Sequence, residues 1–197
     1  MHSVVCTHLI KRFAKPAPQK AGLWARLAGR RRSETLTVVD DLNLAFTPGA
    51  VTAIVGESGC GKTTLLRLIA GLESPDAGGI TVSDASGKPA RIGMVFQEPR
   101  LFAWLTVAEN VALAVRDLPP EEQRRRVRET LTAVGLTDFA EAYPHELSGG
   151  MAQRAGFARA LAGNPDVLLL DEAFSALDAL TRDRLRREFL RILEARP

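Results

Sequence analysis

The 197-residue chain has two cysteines, one tyrosine and only 6% aromatic residues. Cys6 and Cys60 alone form no disulfide framework, which excludes a small stapled secreted scaffold. Long apolar runs are missing too: uninterrupted stretches such as Val111 to Val115 are far too short to cross a bilayer. At the N-terminus no charged segment, apolar segment and small-residue cleavage site follow one another, so no secretory signal is expected and a reducing cytoplasm is the default. Neither sign of charge dominates, since 26 Lys+Arg against 23 Asp+Glu leave +3. That balance does not by itself argue for nucleic acid. No internal repeat or low-complexity tract is present.

What is present is ordinary for a globular protein, 46% hydrophobic and 25% charged residues, in a length that fits one domain with a substantial core. SVVCTHLIKRF and TLTVVDDLNLAF read as two paired strands, and AVTAIVG as a strand running into a glycine loop and the helix KTTLLRLIAGL. GGITVSDASGKPARIGMVFQ gives two more short strands around a turn. From Thr106 the period turns helical, with Pro119 and Pro120 opening a second helix whose Glu121 and Glu122 suit its positive end. SGGMAQRAGFARALAG is helical, DVLLLDE reads as a buried parallel strand, and ALTRDRLRREFLRILEA as an amphipathic helix.

Two glycine turns carry the chemistry. Gly56, Gly61, Lys62 and Thr63 fit G-x-x-x-x-G-K-[ST] between an expected strand and an expected helix. Glycines let several N–H groups point inward, the helix dipole adds positive charge, Lys62 reaches terminal phosphates, and the Thr63 hydroxyl can bind Mg²⁺. Cys60 within this loop reads as a small filler or as a reactive thiol near Lys62. Asp171 and Glu172 end the expected strand VLLL, where an open parallel sheet places its ligands. One carboxylate can hold a metal while the other polarises an attacking water. The second turn, LSGG, puts Ser148 at an N-cap with Gly149 and Gly150 exposing the first N–H groups of a helix. One nucleotide needs only one phosphate loop, so the second turn suits a nucleotide held by another molecule.

In this order the motifs resemble the nucleotide-binding subunit of ATP-binding-cassette (ABC) transporters, from about Val4 to the end of the chain. The resemblance implies an α/β P-loop NTPase (RecA-like) core with an N-terminal antiparallel β subdomain and an inserted α-helical subdomain at about 98–160. It implies ATP and Mg²⁺ as cofactors. Gly56, Glu57, Ser58, Gly59, Cys60, Gly61, Lys62, Thr63 and Thr64 look like the Walker A loop, Gln97 like the Q-loop glutamine near the metal, and Leu147 to Gln153 like the family signature. Asp171 looks like the metal-side aspartate, Glu172 like the catalytic base, and Ser175 to Asp178 like the D-loop, with Asp178 near the nucleotide. Phe13 falls near the family's adenine-stacking aromatic; a core or edge-strand phenylalanine is the other reading.

Pro99, Arg100, Leu101 and Trp104 are similar to the corresponding stretch of nitrate, sulfonate and taurine importer ATPases, where it faces the membrane subunit. Trp104 is then an anchor for that partner, or a tryptophan buried in the helical lobe. The resemblance implies a paired ATPase subunit, an integral permease, indirectly a periplasmic or lipoprotein substrate-binding protein, no nucleic acid, and a peripheral place on the cytoplasmic face of the inner membrane. The alternatives are a non-transport ABC ATPase and a degenerate subunit that binds ATP with little hydrolysis. Ala50, Ala103, Ala173 and Ser175 depart from the importer pattern without disabling it. The chain stops at Pro197, before the family's next strand and switch histidine, and His2, His8 and His145 cannot fill that position. Residues 1–197 are therefore expected to be a single, C-terminally incomplete nucleotide-binding domain with weak or absent ATP turnover alone. The basic insertion 14–34 reads as a lipid- or partner-facing segment or as a solvated loop, and EEQRRRVRE as a solvated helix face.

Overall fold

The computed structural model describes residues 2–15, 35–175 and 178–194. Nearly all of the basic insertion 14–34, residues 176 and 177 of the expected D-loop, and Pro197 lie outside the described residues. The chain divides into two compact units, Met1–Pro89 and Ala90–Pro197.

In the first unit β1 (His2–Ala14), β2 (Thr35–Phe46) and β3 (Ala77–Asp84) form an antiparallel sheet in the order β2-β1-β3. The expected pairing of the first two strands is present, with Val4 opposite Phe46 and Phe13 opposite Leu36. Alternation along β1 buries Val4 and Cys6 and would next bury His8. A bulge prevents it. His8 (φ 48) and Asp41 (φ 45) take left-handed conformations across the ladder, which sends Leu9 inward instead. The exposed His8 is tied down by its N–H to Asn43 Oδ1 (2.8 Å) and by Nδ1 at 2.7 Å from Asp41 Oδ1. Gly78 on β3 makes room, because a Cβ there would collide with the carbonyls of Thr7 and His8. Helix α1 (Lys62–Ile69) buries Leu65, Leu68 and Ile69. Burial pushes the Cys6 thiol up, away from thiolate chemistry.

One expected strand does not form. Residues 50–57 have no ladder partner among the described residues, and Val51 and Val55 are about 90% exposed. A strand is stabilised by its neighbours, and apolar composition alone does not supply them.

In the second unit β4 (Ile92–Val95) and β5 (Val167–Leu170) pair in parallel, Ile92 opposite Val167 and Val95 opposite Leu170. The two short strands expected around the 84–91 turn thus belong to different sheets. Strand β5 is less buried than its composition implied, since Leu170 stays exposed while Leu169 is covered. Helix α2 (Val107–Ala112) is opened by a capping box in which Thr106 Oγ1 accepts from the Glu109 N–H and the Thr106 N–H donates to Glu109 Oε2. It ends in a 3₁₀ turn, Leu113–Val115.

Helix α3 (Pro120–Ala133) starts with Pro120 at its first position and Glu121 and Glu122 in its first turn, as expected. Its outer face is laced by Arg124–Glu121, Arg125–Glu122, Arg125–Glu129 and Arg126–Glu122 pairs, a solvated face. Helices α4 (Gly149–Ala162) and α5 (Ala179–Glu194) complete the unit. Its core gathers Val95, Val107, Val111, Leu161 and Leu185 around Phe157, which stacks on Phe189 with centroids 3.7 Å apart. Gly93 lets β4 press on α4, since a Cβ there would lie 2.7 Å from Ala160 O. Among the described residues no helix is long and apolar enough to cross a membrane.

Candidate functional site

The glycine loop of the first unit is curled by its own backbone. Gly59 (φ 82) and Gly61 (φ 99) are left-handed, and Gly61 caps α1 without a side chain. A Cβ on Gly61 would lie 2.9 Å from Val38 Cγ1 and 3.0 Å from Val38 O, and one on Gly56 2.7 Å from Cys60 Sγ. Cys60 is thus packed under Gly56 and fills the loop, although its residue surface is exposed. The Lys62 ammonium bends over this loop, donating to Gly56 O (2.9 Å) and Glu57 O (2.8 Å), with Cys60 Sγ at 3.9 Å. A cation held by neutral carbonyls at a helix N-terminus fits an anionic phosphate. Glu57 and Ser58 are exposed, whereas Thr63 and Thr64 stand half-buried in the first turn of α1.

In the second unit the parallel pair ends on two loops that carry the other candidates. The Asp171 N–H donates to Val95 O (2.9 Å), which extends the ladder by one residue and seats a 6%-exposed carboxyl-bearing residue at the strand end. The chain then reverses. Glu172 takes φ 45, and its carbonyl accepts from the Ser175 N–H and Oγ, both at 2.9 Å. The reversal turns Glu172 to solvent and Ala173 into the core, so alanine fits where proline is usual in the resemblance. A non-glycine residue in this conformation stores strain of about 1–3 kcal/mol. Gln97, two residues beyond β4, is exposed. Thr63 in the first unit, and Gln97 and Asp171 in the second, each carry an oxygen donor of the kind that suits Mg²⁺.

The second glycine turn forms as expected. Ser148 caps α4, its Oγ accepting from the Met151 N–H at 3.3 Å, and both Ser148 and Gly149 are exposed. A Cβ on Gly149 would meet nothing within 4 Å. Asp178 plays a local part by accepting from the Thr181 N–H (3.0 Å) at the start of α5. Hydrogen bonds from the Thr181 side chain, then from its backbone, hold the Asp178 carboxyl below the usual range. Phe13 sits near the end of β1, the central strand of its sheet, 38% exposed, with Lys11 Nζ 5.2 Å above its ring. Trp104 is 73% exposed and packs on Phe102, which removes the buried-tryptophan reading. Nearby an open cleft of about 570 Å³ is lined by Arg91, Arg100, Phe102, Leu113 and Arg159.

The family model described as ABC transporter matches residues 39–175, more than half of the chain. The chain belongs to the ABC transporter family. This cassette is 49% identical over 177 residues to the aliphatic sulfonates import ATP-binding protein of Xanthomonas axonopodis pv. citri, covering 87% of this chain and 70% of that one. It is 44% identical to the taurine import ATP-binding protein of Pseudomonas aeruginosa, covering 81% of this chain and 62% of the relative. A sulfate/thiosulfate import relative from Ralstonia nicotianae is matched at 50% identity over 46% of its length, so the chain spans about half to two thirds of such relatives. Among solved structures it is similar to the ATP-binding cassette MJ0796, a dimer bound to ADP and Pi, with TM-score 0.73, 30% identity, and 94% and 81% of the two chains covered. The fold is accordingly the α/β P-loop NTPase cassette with its antiparallel β subdomain.

Residues that hold the cassette's loops in place escaped sequence reasoning. Asn110 is fully buried, accepts the Phe102 N–H (2.7 Å) and donates to the carbonyls of Phe102, Leu105 and Thr106, which shapes the loop that presents Trp104. A lone amide on the apolar face of VAENVAL was the available signal. Arg159 had no such signal.

Proposed function

We propose that this chain is the ATP-binding subunit of an importer and couples ATP binding and hydrolysis to uptake of a small anion such as a sulfonate, taurine or nitrate. The observation that carries the reading is the Lys62 ammonium folded over left-handed glycines at the start of α1. The import relatives supply the direction of transport and the class of cargo.

Gly56 to Thr64 cradle the triphosphate with backbone N–H groups, and Lys62 exchanges its two carbonyl partners for phosphate oxygens. Thr63, Asp171 and Gln97 would hold Mg²⁺. When bound, that ion neutralises charge developing on the transferred phosphoryl oxygens. Glu172 orients the attacking water and accepts its proton, a role served by its turned-out side chain. Ser148, Gly149 and Gly150 present free helix N–H groups to the nucleotide of a second ATPase subunit. Phe13 offers its open face to the adenine, and Asp178, besides capping α5, stands at the subunit contact. Trp104 and Phe102 beside the arginine-lined cleft receive the permease on the cytoplasmic face of the membrane, and the substrate-binding protein acts through that permease.

Binding and turnover separate these roles. Lys62→Ala is expected to abolish ATP binding, while Glu172→Gln binds ATP, stops turnover and dimerises in nucleotide. Equal binding by wild type and Lys62→Ala would overturn the phosphate-loop assignment. A monomeric Glu172→Gln protein in saturating Mg-ATP would overturn the shared-site reading.

A further inference from the structure

One face of α4 grips the backbone around Gln97 at successive points. Gln153, buried, donates Nε2 to Phe96 O at 3.2 Å. Gly156 lies so close to Pro99 that a Cβ there would be 3.4 Å from its Cα, Cβ and O. Arg159 then donates Nη2 to Pro99 O (2.8 Å) and Nη1 to Arg100 O (2.7 Å). A spacing of three keeps these residues on neighbouring parts of the helix surface. Gln97 lies between the first tether and the second.

The segment is held away from its local preference. Arg100 adopts φ 48, and its guanidinium lies 4.5 Å from the centroid of the Phe96 ring. Arg159 is the unusual member of the grip. It is half-buried and spends a charged fork on two neutral carbonyls, with no carboxylate in ion-pair range among the described residues. Burial pulls its guanidinium below the usual value. Desolvating a cation without a counter-charge costs stability. A hydrophobic residue would serve packing alone better, so the fork's geometry is what the position requires.

We propose that Arg159 is a positioning residue for Gln97: its fork locks carbonyls 99 and 100 to α4, so that the Gln97 loop and the Ser148–Gly150 turn at the head of the same helix move as one body. The inference rests on the role given to Gln97 above. It joins two of the chemical features of the second unit through a single rigid element.

Two readouts on the longest chain its gene encodes test it, with Arg159→Met, Arg159→Lys, Gln97→Ala and the double variant Gln97→Ala/Arg159→Met. Amide hydrogen exchange over 97–102 is expected to accelerate on the order of tenfold in Arg159→Met and less in Arg159→Lys, with β1–β3 unchanged. Unchanged exchange over 97–102 in a folded variant overturns the clamp. In turnover, Arg159→Met is expected to lower kcat with KM for ATP within about twofold, and the double variant to be no slower than Gln97→Ala. Multiplied losses overturn the positioning role. Should Gln97→Ala turn over at the wild-type rate, the reading of Gln97 falls while the exchange result still decides the clamp. Should Arg159→Met fail to fold, Arg159→Lys alone and with Gln97→Ala carries both measurements.

Discussion

The two glycine turns of this protein achieve anion-ready backbones by opposite means. The loop from Gly56 to Thr64 is shaped from within, by left-handed Gly59 and Gly61, by Val38 against Gly61, and by Lys62 bent over its own carbonyls. The turn at Ser148 is an ordinary capped helix start with open space beside Gly149, and its position comes from the buried body of α4 behind it. In the proposed roles, a loop that encloses phosphates needs its own curvature, and a turn that presents N–H groups to another molecule needs only a firm mount.

The most severe test of that contrast strikes the mount. Phe157→Ala removes a fully buried ring stacked on Phe189 and is expected to cost about 3–5 kcal/mol, read as a lower unfolding midpoint. Next comes Gly61→Ala, which forces a side chain into φ 99 and against Val38, for about 1–3 kcal/mol together with loss of nucleotide binding. Ser148→Ala should cost about 0.5–2 kcal/mol by removing the cap of α4. Gly149→Ala should stay within about 0.5 kcal/mol of wild type. If Gly149→Ala proved as damaging to stability as Gly61→Ala, the contrast would be wrong.

The smallest expected effect is on acid stability and involves neither turn. Side-chain hydrogen bonds from Arg125, then from Arg126, hold Glu122 on α3 below the usual glutamate range. Its folded value thus lies beneath the unfolded one near about 4.3, so its contribution is complete above that pH and is lost as pH falls through the folded value. Glu122→Gln should flatten this part of the acid-unfolding profile. Superimposable wild-type and variant profiles below about pH 5 would show that the α3 network adds nothing.

Much of the site was legible because its chemistry is local. The Gly61-Lys62-Thr63 run, the Ser148 cap, and Pro120 ahead of Glu121 and Glu122 each act within about one helical turn, and all appear where their spacing placed them. What the sequence misread or left open shares a cause. Val51 and Val55 read as strand because they are apolar and β-branched, yet nothing among the described residues pairs with them. His8 interrupts the alternation of β1 because a bulge answers Asp41 and Gly78 from other strands. Trp104 stands exposed on a loop set by a buried Asn110.

By itself the sequence determined the glycine loop ahead of α1, the helix starts and the strand-end carboxylates, since glycine conformation, capping and charge at a helix end depend on residues a few positions apart. Only the tertiary structure decided which apolar side chains are covered and how Gln97 is held. The bonds that tether its loop join residues 57 to 60 positions apart, and such pairs come together only once β4 and α4 have packed.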